Sequence, residues 1–216
     1  MNKLLFIIAL LFFASSYSQK NIKIIFEEQM LVKEESLIGV PEHLRAKFVK
    51  QVESIKSESY MYIQNGKVYF ESKHTNKEVK DKSIVNAKGS KEGVLFVKDM
   101  SSSVNVSEVK MAKDPKTNTY IIQENKQLKS NKLPVVQWRI TNKQKKILGY
   151  DCHEAFTKYK NQTLKVYFTK EFNLIASPKS LPFVNGVVLE YTYGPAVGKA
   201  VQVEMNQPII TNFFKY

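Results

Sequence analysis

Over most of this chain apolar and polar positions alternate with a period of two, and that pattern predicts a sheet. Ile22, Ile24 and Phe26 fall on one side of an extended segment and Lys23, Ile25 and Glu27 on the other, so a first strand is expected there. Tyr60, Met61, Tyr62 and Ile63 precede Asn65-Gly66, and Val68, Tyr69 and Phe70 follow it. Both residues of an Asn-Gly pair accept positive φ, so these two runs predict a hairpin. Further strands are expected at Val94 to Val97, Val104 to Val109 and Tyr120 to Gln123, the last after a turn through Asp114-Pro115 and Asn118. Val135 to Ile140, Cys152 to Tyr159, Leu164 to Phe168, Val187 to Tyr193 and Ala200 to Met205 complete the series. A turn is expected at Lys160 to Gln162.

One stretch breaks the rule. Leu44, Phe48, Val52 and Ile55 recur at three- or four-residue steps after Pro41, which predicts an amphipathic helix over about 41–55. Its apolar stripe is expected to pack on the sheet, a membrane or partner surface being the alternative. Many short strands, polar turns and one helix imply a mainly β protein: an antiparallel, curved sheet, half barrel or sandwich with the helix against one face.

The first residues have a different pattern. Lys3 precedes an apolar block from Leu4 to Ala14, followed by Ser15, Ser16, Tyr17 and Ser18. That order predicts a signal peptide over 1–18, cleaved near Ser18-Gln19, and an exported, periplasmic or secreted product. The block is shorter than the ~20 apolar residues a membrane-spanning helix needs, and no later segment is apolar enough to serve. Residues 19–216 are expected to form a single β-rich domain.

The formal net charge of +13 raises the question of nucleic acid. Clustered lysines would release counterions from phosphates, but the lysines here are scattered through polar segments: 73–91, 126–132 and 143–146. They are read as solvated loops, with attraction to an anionic envelope surface as a second reading. Cys152 is the single cysteine, so no intramolecular disulfide forms and a buried thiol is expected.

A family resemblance follows from the second half. Trp138-Arg139-Ile140 is followed by Gly149-Tyr150-Asp151-Cys152-His153-Glu154-Ala155, then by Phe168-Thr169-Lys170-Glu171. This order resembles the GLPGLI family of exported Bacteroidetes proteins, in which a tryptophan strand precedes a Gly-Tyr-x-Cys-x-x-Ala strand and an aromatic-Thr-x-Glu strand. The naming motif falls on Phe183, Val184, Asn185, Gly186, Val187 and Val188, with Gly186 alone identical, and Glu190 follows. The resemblance implies export and a β-rich domain, and it transfers no catalytic residue. Gly186 before an apolar run reads as a turn or a close backbone approach.

The candidates for chemistry are sparse. Cys152 and His153 are neighbours on a strand and so point to opposite faces; a thiol nucleophile would need His43 or His74 to approach through the fold. No metal or cofactor is expected: the three histidines lie far apart, no zinc spacing occurs, and Glu27, Glu28, Glu34 and Glu35 read as solvated. Phosphate-cradling loops and nucleophile elbows are missing too. The leading expectation is therefore a non-catalytic binding or interaction module. It would take an envelope protein at a sheet edge, or carry an apolar ligand between sheet and helix. The alternative from another class is an envelope hydrolase using carboxylates such as Glu154, Glu171 or Glu190.

Overall fold

The computed structural model describes residues 21–54, 56–73, 109–124 and 127–214. The expected leader, the strand at 94–97 and most of that at 104–109 lie outside them. Eleven strands are described: β1 (Ile22–Met30), β2 (Lys56–Gln64), β3 (Lys67–Lys73), β4 (Val109–Asp114), β5 (Thr119–Glu124), β6 (Gln127–Lys132), β7 (Arg139–Ile147), β8 (Tyr150–Tyr159), β9 (Gln162–Thr169), β10 (Val187–Tyr193) and β11 (Ala196–Met205). All pair antiparallel in one sheet of order β6-β5-β4-β3-β2-β1-β11-β10-β9-β8-β7. Two meanders, β1 to β6 and β7 to β11, thus fan outwards from a central seam where Ile22 faces Met205 and Met30 faces Ala196.

The turns form where their residues tolerate positive φ. Asn65 and Gly66 join β2 to β3 at φ +51° and +73°, and Lys160 and Asn161 join β8 to β9 at +45° and +63°. Parity sets the two faces. Ile22, Ile24, Phe26, Met61, Ile63, Val68, Phe70 and Met111 are almost wholly buried on the inner face, with Ala155, Leu164, Val166 and Phe168 in the other meander. At roughly 25 cal/mol per Å² of apolar surface removed from water, this contiguous core is the main stabilising term.

Two expectations need correction. The strand expected over Val135 to Ile140 begins at Arg139 and runs on to Ile147, which leaves Trp138 just outside it. Pro134 lacks an N–H and the residues up to Trp138 make no ladder. Of the lysine-rich stretches read as loops, 127–132 is instead β6 and 143–146 is part of β7, the two edge strands of the open sheet. An edge strand has one solvated side, so it forms with little apolar content, and its lysines discourage further pairing.

The inner face is covered from within. Between β9 and β10, segment Lys170–Gly186 buries Phe172, Ala176, Leu181 and Val184 in the same core. This plug proves that the sheet curls. Lys113 of β4 bonds to Leu181 O, and Tyr159 of β8 bonds to the adjacent Ser180 O. β4 and β8 are seven steps apart in the sheet order, which at about 4.8 Å per step would separate them by roughly 34 Å if flat. Two side chains cannot bridge that to adjacent residues, so the two wings must bend towards each other around the plug.

A short 3-10 turn (Glu34–Leu37) and α1 (Glu42–Glu53) follow β1. Phe48, Val49 and Val52 are half-buried and Leu44 is 36% exposed, so the helix lies lightly against β1.

Candidate functional site

Polar side chains concentrate in two places: where the plug meets the inner face, and in a row across the outer face. Four ties hold the plug. Lys113 Nζ donates to Ser177 O and Ser177 Oγ at 2.7 Å and to Leu181 O at 2.9 Å. Trp138 Nε1 donates to Phe183 O at 2.7 Å, and Tyr159 Oη to Ser180 O at 2.9 Å. Lys179 Nζ pairs with Glu28 Oε2 at 2.5 Å. Lys113 is 1% exposed, and burial pushes its ammonium well below the usual lysine range.

Glu28 is a hub, not the solvated acid expected. Besides Lys179 it accepts Ser59 Oγ at 2.8 Å and Tyr191 Oη at 2.7 Å. Tyr191 is 2% exposed, and burial first, then the Glu28 charge and hydrogen bond, raises its hydroxyl well above the usual tyrosine range. Around this carboxylate the donors converge tightly, but the metal ligands do not: no group of three or more His, Cys, Asp or Glu side chains suited to a metal occurs among the described residues.

On the outer face, residues in register form one transverse row over six strands: Glu154, Tyr167, Glu190, Lys199, Glu27 and Glu58. Cross-strand partners share a face, so acids alternate with a tyrosine and a lysine from Glu154 to Glu27, and Glu27 then faces a second acid, Glu58. Tyr167 Oη donates to Glu154 Oε2 at 2.9 Å and Thr141 Oγ1 to Glu154 Oε1 at 3.0 Å. Burial pushes the Glu154 carboxyl up, but these two bonds together with the Lys143 and Lys165 charges outweigh it and leave the group below the usual range. Lys145 from β7 reaches Glu190 Oε1 at 2.6 Å with its Nζ 3.8 Å from the centre of the Tyr167 ring. Lys56 closes on Glu27 at 2.7 Å.

The residues singled out from the family-like motifs fall mostly along the plug's anchorage. Gly149, at φ +89°, makes the β7–β8 turn with Leu148. Tyr150 stacks on Phe172 at 4.6 Å. Ala155, Thr169, Val187 and Val188 are wholly buried and Val184 nearly so, while Asn185 is exposed. At Gly186 a Cβ would sit 2.5 Å from Thr169 O and 2.6 Å from the Phe168 ring, a close approach only glycine allows. Glu171 accepts the Asp151 N–H at 2.7 Å, and Glu190 is paired with Lys145. Glu154 and Glu190 therefore flank Tyr167, whereas Glu171 is spent on a turn elsewhere.

Cys152 is 1% exposed and donates to Tyr150 O at 3.5 Å. Burial is the main cause that pushes its thiol up to about 11. His153 lies against Phe168, with ring centres 6.1 Å apart. Two shallow hollows open on the surface. One is lined by Lys67, Ala112, Lys113, Asp114, Thr119, Tyr120 and Ile121, the other by Lys33, Asn161, Gln162, Thr163 and Gly194.

Lys113, Ser59 and Tyr191 carry no functional expectation from the sequence, and Glu28 only that of a solvated acid. The signal for Lys113 was there: it shares the parity of Met111, and so sits where an inward apolar residue is expected. Glu28 likewise shares the parity of Phe26.

Among curated proteins, none matches the chain. In solved structures the fold recurs. A structure titled "Structure of PNGF-II in C2 space group" superposes with a TM-score of 0.57 at 14% identity, over 90% of this chain and 29% of that one. A second, in space group P21, gives 0.55 at 15% identity, over 89% and 29%. The chain thus spans under a third of the length of these relatives. The family described as "N-glycanase peptide, N-terminal domain" matches residues 59–212, well over half of the chain, from the middle of β2 to beyond the end of β11. The chain belongs to that family of N-glycanase N-terminal domains.

Proposed function

We propose that this chain is a non-catalytic binding module that works outside the cytoplasm, exported by the leader-like run at its start. Its contact surface is the outer face of the sheet. The observation that carries this reading is the outer-face row Glu154, Tyr167, Glu190, Lys199, Glu27 and Glu58, set out on six strands while the inner face is filled by the plug. Rigid strands hold such a row in fixed spacing, which suits recognition of a hydroxyl-rich or polar partner. Family membership supports it, because the matching description is of an N-terminal domain and not of a whole glycanase. The GLPGLI-like order over about 120–205 points the same way, to an exported β domain.

The carboxylate-hydrolase reading has less support. Glu154 is held by Tyr167 and Thr141, Glu190 by Lys145 and Glu171 by the Asp151 N–H, and none lines either hollow. A carrier of apolar ligands would need the plug to leave the inner face.

The family's link to N-glycanases makes an N-glycosylated protein the first ligand to try. Residues 19–216 would be titrated against one glycoprotein before and after its glycans are removed, with binding followed by calorimetry and free glycan by mass spectrometry. Saturable binding with no glycan released is expected. Release of glycan, or binding unchanged when the Glu154, Tyr167 and Glu190 side chains are truncated together, would remove the proposal.

A further inference from the structure

Lys113 presents an unusual arrangement: a buried amine among neutral oxygens. Ser177 O and Leu181 O are carbonyls and can only accept. Ser177 Oγ uses its own hydrogen on Leu181 O, at 2.8 Å, so towards Lys113 it also accepts. Three acceptors within 2.9 Å of one nitrogen call for three N–H donors. An ammonium has three and a neutral amine two. The centre of the Phe183 ring lies 4.5 Å from Nζ and offers a fourth, π-type contact that favours positive charge.

The surrounding charges do not supply a counterion. On β4, Lys110 and Asp114 have the opposite parity, and Asp114 accepts the Lys116 N–H. On the plug, Lys179 is taken up by Glu28 and Glu171 by Asp151. Among the described residues no carboxylate pairs with Lys113.

We propose that residues Ser177, Leu181 and Phe183 form an internal cage for a single small monocation, and that the Lys113 ammonium is its tethered occupant. The ligand class is a primary ammonium ion. The cage closes the plug over the inner face by gathering two carbonyls, four residues apart, around one charge carried in from the opposite wing of the sheet. Each of the three oxygens accepts, so the group that holds them together must bring one N–H to each, as an ammonium does.

The test is chemical rescue. Lys113→Ala empties the cage, whereas Lys113→Met keeps the stem without its donors. Both should unfold about 5–10 °C lower than the parent chain. Ammonium or methylammonium chloride should restore at least half of the loss in Lys113→Ala by mass action, and none in Lys113→Met, where the stem blocks the cage. Tetramethylammonium and sodium chlorides at the same ionic strength should do markedly less. An equal response of Lys113→Ala to all four salts would overturn the proposal, as would a Lys113→Met variant as stable as the parent. Should neither variant fold, nitrogen-detected NMR of the parent chain decides: a slowly exchanging ammonium signal for Lys113 at neutral pH is expected, and an amine signal there would overturn it.

Discussion

Tyr191 of β10 donates a 2.7 Å hydrogen bond to Glu28 of β1 although β11 lies between their strands. The two face each other across Gly198, which is in register with both. With no side chain on the intervening strand, the tyrosine ring lies over the backbone and reaches the carboxylate beyond it.

Gly198→Ala is therefore expected to be costly. An added Cβ would overlap the Tyr191 ring at its Cε1, Cζ and Oη atoms. Displacing a buried ring from a packed core costs about 1–3 kcal/mol, and here the Glu28 bond goes with it. Urea unfolding should show the loss at the upper end of that range. A variant as stable as the parent would mean that the ring has room to move.

Tyr191→Phe isolates the hydrogen bond. At neutral pH it should lower stability by about 1.5–3 kcal/mol, the range for bonds to charged groups, because the Glu28 carboxylate keeps its burial and loses a donor. The alkaline dependence follows from the raised hydroxyl. A tyrosine more weakly acidic in the fold than when unfolded contributes its stability fully below pH 10.0 and loses it as pH climbs from there towards the folded value. Unfolding curves should fall above pH 10 for the parent and lose that component in Tyr191→Phe.

Cys152 should behave as a core residue. With its thiol pushed up to about 11, the thiolate is scarce near neutrality and the sulfur is 1% exposed. Iodoacetamide should label the native chain at pH 8 at least a hundredfold more slowly than the urea-unfolded chain. Fast native labelling would reopen a nucleophilic role. The thiol's contribution to stability is complete below its ordinary value of 9.0 and declines as pH rises towards 11.

Trp138 reports on the plug. It is the single tryptophan, and its Nε1–H holds Phe183 O. Trp138→Phe should cost about 1–2 kcal/mol by leaving that carbonyl without its donor. In the parent, tryptophan emission should shift in the same transition as the far-ultraviolet signal of the sheet, since plug and sheet share one core. An emission change that precedes sheet unfolding would show that the plug opens by itself.

Much of the sheet was legible because it is written locally. The Asn65-Gly66 and Asp114-to-Asn118 turns, the alternation in Leu164 to Phe168 and the run Val187 to Tyr193 each reveal a strand without reference to any partner. The edges were not: β6 and β7 carry lysines at positions that are polar because they face water, and composition alone does not separate such a strand from a loop. Lys113 and Glu28 had the parity of inward residues, yet their charge argued for the surface, and only a partner from another element could reverse that.

By itself the sequence determined the parity of the strands whose apolar positions alternate, the two-residue turns, the burial of Cys152 and the expectation of a mainly β domain, because each depends on neighbours within a few residues. The tertiary structure decided the rest. It set the β1–β11 seam that joins the two meanders, the curl of the sheet around Lys170–Gly186, and the convergence of Glu28, Tyr191 and Lys113 on that plug and its Lys179. Those contacts link residues tens to more than a hundred positions apart. Their energy comes from removing apolar surface from water, with the polar groups buried alongside it compensated by the partners they meet, and no local pattern records which distant group will be there to meet them.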